Sequence, residues 1–457
     1  MNPGTKSRRT AKTLITVASM SVITAVALTG CGAGGSGGGA SGDKTVNVLM
    51  VNNPQMVDLQ KLTAENFTKD TGIKVNYTVL PENDVRAKIS QEFSSQAGQY
   101  DVATISNYEV PAYAKNGWLS SLSGTVAKDK AFDQSDILPA MTSALTVDGK
   151  LYAEPFYGES SFLMYRTDVF EKAGVTMPEK PTWDEVADLA AKVDGVEPGM
   201  KGICLRGQPG WGQIFAPLTT VVNTFGGTWF EKDWTPGVDK PAFEEAVNFY
   251  VDLINAHGEN GAPQAGYTEC LNNLQQGKVA MWYDSTAAAG SLEAEDSPVA
   301  GKLGYVAAPV KETASSGWLY TWAFAIQKAG KHQDAAGKFI EWASSKEYEN
   351  TVGKELGWSR VPAGKRASTY ENADYQKSAS AFYQQTVDAI KSVDPENPGL
   401  QARPAPGIQF VAIPEFADMA TKVSQDVSSA IAGKQSVADA LKTGQGLAEK
   451  VADKYKK

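Results

Sequence analysis

From Thr45 onward the chain alternates short apolar strands with amphipathic helices, and this alternation limits its fold more than any motif does. Thr45–Val51 is apolar at Val46, Val48 and Met50, with Leu49 and Val51 added, the pattern of a strand buried on both faces. Met56, Leu59, Leu62 and Phe67 then recur at near-helical spacing until Thr71-Gly72. Ile73–Leu80 alternates through Val75, Tyr77 and Val79, and Val85, Ile89 and Phe93 recur every four residues behind Pro81. Tyr100–Ser106 reads as a third strand. A β-α-β-α-β order predicts parallel strands with right-handed crossovers, and a ligand crevice at their carboxyl ends. Those ends carry Asn52-Asn53-Pro54 and Asn107-Tyr108-Glu109, both polar. Further on, Thr182-Trp183-Asp184-Glu185 reads as a capping box for a helix through Val193, with Trp183 a packing residue. Phe243–Ile254 and Asp334–Ser344 read as amphipathic helices, and the tail from Phe416 as helices broken at Gly433 and Gly444. At 457 residues the chain exceeds the ~250–300 at which single cores stop growing.

The N-terminus reads as an address. Lys6, Arg8, Arg9 and Lys12 precede an apolar stretch, Thr13–Leu28, that is shorter than the roughly 18 residues of a bilayer span. Residues 1–30 are therefore expected to be a signal peptide. It ends Leu28-Thr29-Gly30-Cys31, which resembles a bacterial lipobox; the resemblance implies cleavage before Cys31 and a diacylglyceryl group on its thiol. Residues 31–43 follow as the lipidated cysteine and a tether, GAGGSGGGASGD, that has nothing to build a core from. The body is then expected at the outer face of the cytoplasmic membrane, held by its lipid anchor only. Setting the four basic residues of the leader aside takes the net charge from −9 to −13. So acidic a body is a poor partner for nucleic acid or an anionic membrane surface. Cys204 and Cys270 remain, either a disulfide or two buried thiols.

Five interior runs carry a resemblance. They are Gly202-Ile203-Cys204-Leu205-Arg206-Gly207 leading into Pro209-Gly210-Trp211; Met281-Trp282-Tyr283-Asp284-Ser285-Thr286; Gly317-Trp318-Leu319-Tyr320-Thr321-Trp322; Gly357-Trp358-Ser359-Arg360-Val361-Pro362; and Gly407-Ile408-Gln409-Phe410 before Ile413-Pro414-Glu415-Phe416. With Tyr152-Ala153-Glu154-Pro155, Gly158-Glu159-Ser160 and Met164-Tyr165-Arg166, the chain resembles the sugar-binding family 1 of extracellular solute-binding lipoproteins of ABC importers. Within that family it is most similar to the sorbitol and mannitol (polyol) branch, from about Thr45 to about Leu441. The resemblance implies a two-lobe, type II periplasmic-binding-protein-like α/β fold with discontinuous lobes joined by a hinge. Lobe 1 would comprise 44–153 and 317–356, and lobe 2 would comprise 154–316 and 357–457. It further implies a monomer that closes on a polyol (mannitol, sorbitol or arabitol type) or similar carbohydrate and delivers it to the permease's transmembrane subunits, with no cofactor and no metal. The chain departs from the pattern at Ala405-Pro406, where relatives often have Pro-Tyr, and at Val279, where many have cysteine.

A hydroxyl-rich ligand needs bidentate acceptors, guanidinium donors and flat aromatic walls. Glu159 and Asp284 are the candidate acceptors and Arg206 the donor, although Arg206 and Asp284 can instead pair with each other. Trp211, Trp282, Trp318 and Trp322 are the candidate walls, and Trp229 and Trp342 read as core. Trp358 is a further candidate contact, next to Arg360; Asn53, Tyr108 and Arg403 follow by analogy with other sugar-binding members. A disaccharide would need a longer cleft with platforms for two rings. A glycosidase would need two carboxylates flanking one bond, for which Glu154 and Glu159 are the pair on offer, but no run resembles one. With two histidines in all, His257 and His332, both read as solvent-facing, a His-based triad or zinc site has too few ligands. A surface lipoprotein with no small ligand is the third alternative. The reading is a binding protein with no catalytic residue.

Overall fold

Strand β1 (Thr45–Val51) leads into a helix, Pro54–Thr63, that runs through a π turn to Thr71 and stops where Gly72 takes φ 71°. Strand β2 (Lys74–Leu80), the helix Glu82–Ser95 and β3 (Val102–Ser106) follow. The computed structural model describes residues 44–124 and 130–456; the leader, Cys31 and the tether lie outside the described residues. β1 sits between β2 and β3 and pairs with both in parallel, Val48 opposite Tyr77 on one side and Val102 on the other. Flanked on both edges and covered by helices, β1 is buried continuously from Val48 to Val51, which is why its sequence shows an apolar run rather than strict alternation.

A two-strand hairpin, β4 (Thr146–Val147) and β5 (Lys150–Leu151), turns at Asp148-Gly149, both with positive φ. Then come β6 (Ala153–Glu159), β7 (Ser161–Arg166), β8 (Lys201–Cys204), β9 (Val279–Ser285), β10 (Leu303–Ala307) and β11 (Tyr320–Ile326). They form two sheets, ordered β2-β1-β3-β11-β6 and β10-β7-β9-β8. β6 and β7 are separated by Ser160 alone yet belong to different sheets, so the chain crosses there. β6 stays paired with β11 from Ala153 opposite Ala325 to Glu159 opposite Tyr320, with one bulge between, which carries the chain to Glu159 in the first sheet. The stretch from β10 to β11 makes the return crossing.

The capping box is formed in full. The Thr182 hydroxyl accepts from the Glu185 amide, and the Glu185 carboxylate accepts from the Thr182 amide. Cys204, at the end of β8, is disulfide-bonded to Cys270 on the helix Tyr267–Gln275. A carboxylate oxygen of Glu259 lies within 4.8 Å of those two sulfurs. Two expectations are corrected. Gly444 does not break a helix: it lies inside Val437–Ala452, where a Cβ would meet Val238 and Val423 at 3.0 and 3.1 Å, so its missing side chain lets helices pack closely. The two histidines do not simply face solvent. His257 ends the helix Pro241–His257 with Nδ1 3.0 Å from Asp194, and His332 caps Gln333–Ala343 with Nδ1 3.0 Å from Asp101. Among the described residues no helix is long and apolar enough to cross a membrane.

Candidate functional site

The carboxyl ends of β1, β2 and β6 and the amino end of the antiparallel β11 face the end of the second sheet across a small cavity. It leaves about 20 Å³ free to a water-sized sphere, well below the ~300–1,000 Å³ of ligand pockets, so its walls must part to admit a ligand. Asn53 enters after β1, and Glu82 and Arg86 after β2, one turn apart at the start of the helix that follows. Tyr157 and Glu159 come from β6, and Tyr320 and Trp322 from one face of β11. The second half contributes Arg206 after β8, Gly212, Ala216, Tyr267, Ser285 at the end of β9, and the loop residues Gln409 and Phe410. Contacts bridge the two halves around it: Gln55 donates to the Ala287 carbonyl at 2.8 Å and Asn83 to the Pro209 carbonyl at 2.9 Å.

Two buried guanidinium groups dominate the lining. Arg86 donates to Glu82 through Nε (3.0 Å) and Nη2 (2.8 Å), to Glu109 (3.2 Å) and to the Tyr320 hydroxyl (2.7 Å). Its cation also lies 4.2 Å from the Trp211 ring and 4.7 Å from that of Trp322. Arg206 forms a bidentate pair with Asp284 (2.7 and 2.5 Å) and donates to the Gly212 carbonyl at 3.2 Å. Asp284 accepts further from Trp282 Nε1 at 3.1 Å and from the Ser285 amide. It is wholly buried, so it serves Arg206 from behind rather than facing the cavity. Glu159 does face the cavity and accepts the Ser285 hydroxyl at 2.6 Å. Burial pushes its carboxyl up to about 8, with Ser285 and Arg206 pulling only part of the way back.

Of the residues expected at the site, Asn53, Glu159, Arg206 and Trp322 line this cavity together. Asn53 donates to the Tyr157 hydroxyl at 2.8 Å. Trp282 stands behind Arg206 with Asp284, fully buried against Tyr267. Trp211 and Tyr108 lie on the outer side of Arg86, their rings 4.7 Å apart, and the Tyr108 hydroxyl donates to the Ile413 carbonyl. Trp318 is fully buried beside Tyr283. Trp358 packs over Gly353, next to an Arg360–Asp58 ion pair, away from the cavity. Arg403 donates to Asn223 (2.5 Å) and to the Gly407 carbonyl (3.1 Å), so it braces the loop that delivers Gln409 and Phe410. Glu154 is five residues from Glu159 on the same strand, beyond a bulge in its pairing with β11, and lies 3.4 Å from Gln134, whereas Glu159 meets Ser285. The two carboxylates therefore do not flank one bond.

Glu82, Arg86, Tyr157, Tyr267, Ser285, Tyr320, Gln409 and Phe410 were not singled out from sequence. The carboxyl-end rule that marks Asn53 after β1 marks Glu82 after β2 equally well, and i, i+4 spacing then brings Arg86 in. Tyr320 shares its strand face with Trp322.

The model of the family described as bacterial extracellular solute-binding protein matches residues 53–350. Among curated proteins, the mannitol-binding protein of Pseudomonas aeruginosa is 38% identical over 408 residues, 89% of this chain and 92% of that one. The erythritol/L-threitol-binding protein of Mycolicibacterium smegmatis is 25% identical, over 75% and 78% of the two chains. Among solved structures, an ABC transporter solute-binding protein from Agrobacterium vitis with bound D-mannitol superposes with a TM-score of 0.87 at 44% identity, over 90% of this chain and 99% of that one. A two-lobe maltose-bound binding protein from Thermotoga maritima shares the fold at a TM-score of 0.75 and 20% identity.

Proposed function

Because the chain belongs to the bacterial extracellular solute-binding protein family, a family of ABC-transporter components and not of enzymes, we propose that it captures an acyclic sugar alcohol of the mannitol, sorbitol or arabitol type in the cavity between the two sheets and hands it to a membrane permease. The observation that carries this reading is the charge balance of the cavity. Arg86 is already met by Glu82 and Glu109, and Arg206 by Asp284, which leaves Glu159 as an acidic group without a cation of its own. Carboxyl groups thus outnumber guanidinium groups, so a sugar acid or phosphate meets no free positive charge. A neutral polyol, whose hydroxyls both donate and accept, satisfies Glu159 and the remaining N–H groups together. The names of the mannitol- and erythritol-binding relatives support the same class.

In this reading the protein works as a monomer with a lobe around each sheet, the first crossing falling at Ser160. Closure joins Asn53, Arg86 and Trp322 of one side to Arg206 and Tyr267 of the other. Asn53, Glu159, Arg206 and Trp322 are the proposed contacts. Asp284 and Trp282 orient Arg206, and Arg403 orients the loop at Gln409.

A thermal-shift panel on the chain from Lys44 tests the ligand class. Mannitol, sorbitol or arabitol at 100 times its dissociation constant should stabilise by about 2.7 kcal/mol, with no shift from gluconate. A shift only with maltose, or a larger one with gluconate, would refute the reading. The lipid anchor is tested apart: Cys31→Ala should release the protein from the membrane fraction, and retention there would refute the anchor.

A further inference from the structure

The cavity shares a wall with a second, wider groove that leaves about 770 Å³ free to a water-sized sphere. Arg86 borders both spaces. Gly210 and Trp211 face the groove while Gly212 faces the cavity; opposite them Phe410 faces the cavity and Ile413 the groove. Trp211 fills the partition. Its ring centroid lies 4.8 Å from that of Phe410, the Arg86 cation is 4.2 Å away, and Tyr108 packs at 4.7 Å on the groove side. Only 9% of Trp211 is exposed. The groove behind it combines the aromatic rings of Tyr113 and Trp118 with the side-chain amides of Asn83 and Asn116, a lining suited to a sugar ring.

We infer that Trp211, wedged between Arg86 and Phe410, is a length gate that confines the ligand to the inner cavity and excludes an alditol whose glycosyl extension would need the outer groove. The inference rests on the polyol reading of the cavity. Arg86 also donates to Glu82, Glu109 and Tyr320, bonds that do not involve the indole, so removing the indole opens the wall and leaves the guanidinium held. The cavity and the groove then become one continuous cleft. Discrimination by alditol length is therefore set at a single side chain.

Calorimetric titration with D-mannitol and with maltitol, a hexitol carrying one glucosyl group, tests the gate in wild type, Trp211→Ala and Trp211→Phe, each checked for folding by thermal melt. Wild type should bind mannitol and exclude maltitol. Trp211→Ala should gain affinity for maltitol by about tenfold or more, and Trp211→Phe should keep the exclusion. Wild-type binding of maltitol as tightly as mannitol overturns the gate, and so does a folded Trp211→Ala that still excludes maltitol. Should the alanine variant not fold, Trp211→Leu carries the same expectation and the same refutation. A wild type that binds neither ligand overturns the polyol reading itself, and the gate with it, a result distinct from the others.

Discussion

Glu159 sits in the cavity in a protonation state it would not hold in water. Burial pushes its carboxyl up to about 8, and the Ser285 hydroxyl and Arg206 offset only part of that. A ligand hydroxyl that donates to this carboxyl favours its ionised form. Binding near neutral pH therefore releases a proton, and affinity for mannitol should rise from pH 6 towards 8.5, by at most about tenfold per pH unit, before levelling off. Glu159→Gln has no proton to lose. It should bind about 1.5–3 kcal/mol more weakly, the scale of a hydrogen bond to a charged group, and with a flat pH profile. Calorimetry in buffers of different ionisation enthalpy measures the proton directly; uptake instead of release, or a wild-type affinity indifferent to pH, would contradict the assignment. The residue types of this chemistry were legible in the chain: Glu159, Arg206, Asn53 and Trp322 all line the cavity. What could not be read was which member of a motif turns towards the ligand. Every residue of β9 is buried, so alternation says nothing about Trp282 and Asp284, and both prove to point at Arg206. Arg86 sits on a helix whose exposed face looks ordinary, and only the return of β11, Tyr320 first, gives it its place.

At the scale of elements, local signals were read well and long-range ones less so. The opening β-α-β-α-β, the Thr182–Glu185 box and the stop at Gly72 each depend on residues a few positions apart, and each is formed. Gly444 shows the limit. Its sequence reading as a break used helix propensity alone, about 1 kcal/mol against alanine, whereas Val238 lies some two hundred positions earlier and needs the space. The crossing between sheets shows the same limit. β6 is paired with β11 through Glu159, and the pairing partner is more than 160 residues away. That pairing also decides function. It fixes Glu159 beside Tyr320 at the mouth of the first sheet, one residue before the chain enters the second, so the proposed hinge and the proposed ligand contact are adjacent along the chain.

At the scale of the whole molecule the same burial has a consequence for stability. Three carboxyls are pushed up by burial: Glu154 and Glu159 to about 8, and Glu259 to about 7. In the unfolded chain each returns to the ordinary range near 4.5. Below that value both states hold the proton and these groups leave stability intact. Above it the folded state alone keeps the proton, so stability falls as pH rises, until each group ionises in the folded state as well. Carboxylates held low by their partners, such as Asp136 with Ser368 and Asp168 with Arg166, act in the opposite direction but only at the acid end, as pH falls through their own range. The ligand-free chain from Lys44 should therefore be most stable near pH 5 and lose stability as the pH rises towards 8, with each group contributing at most about 1.4 kcal/mol per pH unit. Glu154→Gln keeps the neutral shape beside Gln134 and should flatten the decline. Mannitol should flatten it too, because a bound hydroxyl stabilises the ionised form of Glu159. Melting midpoints across pH 5–8.5, with and without mannitol, read out all three effects. A midpoint that climbs with pH in the ligand-free chain would show that these carboxyls are ionised in the folded state and that the cavity carries more negative charge than its burial permits.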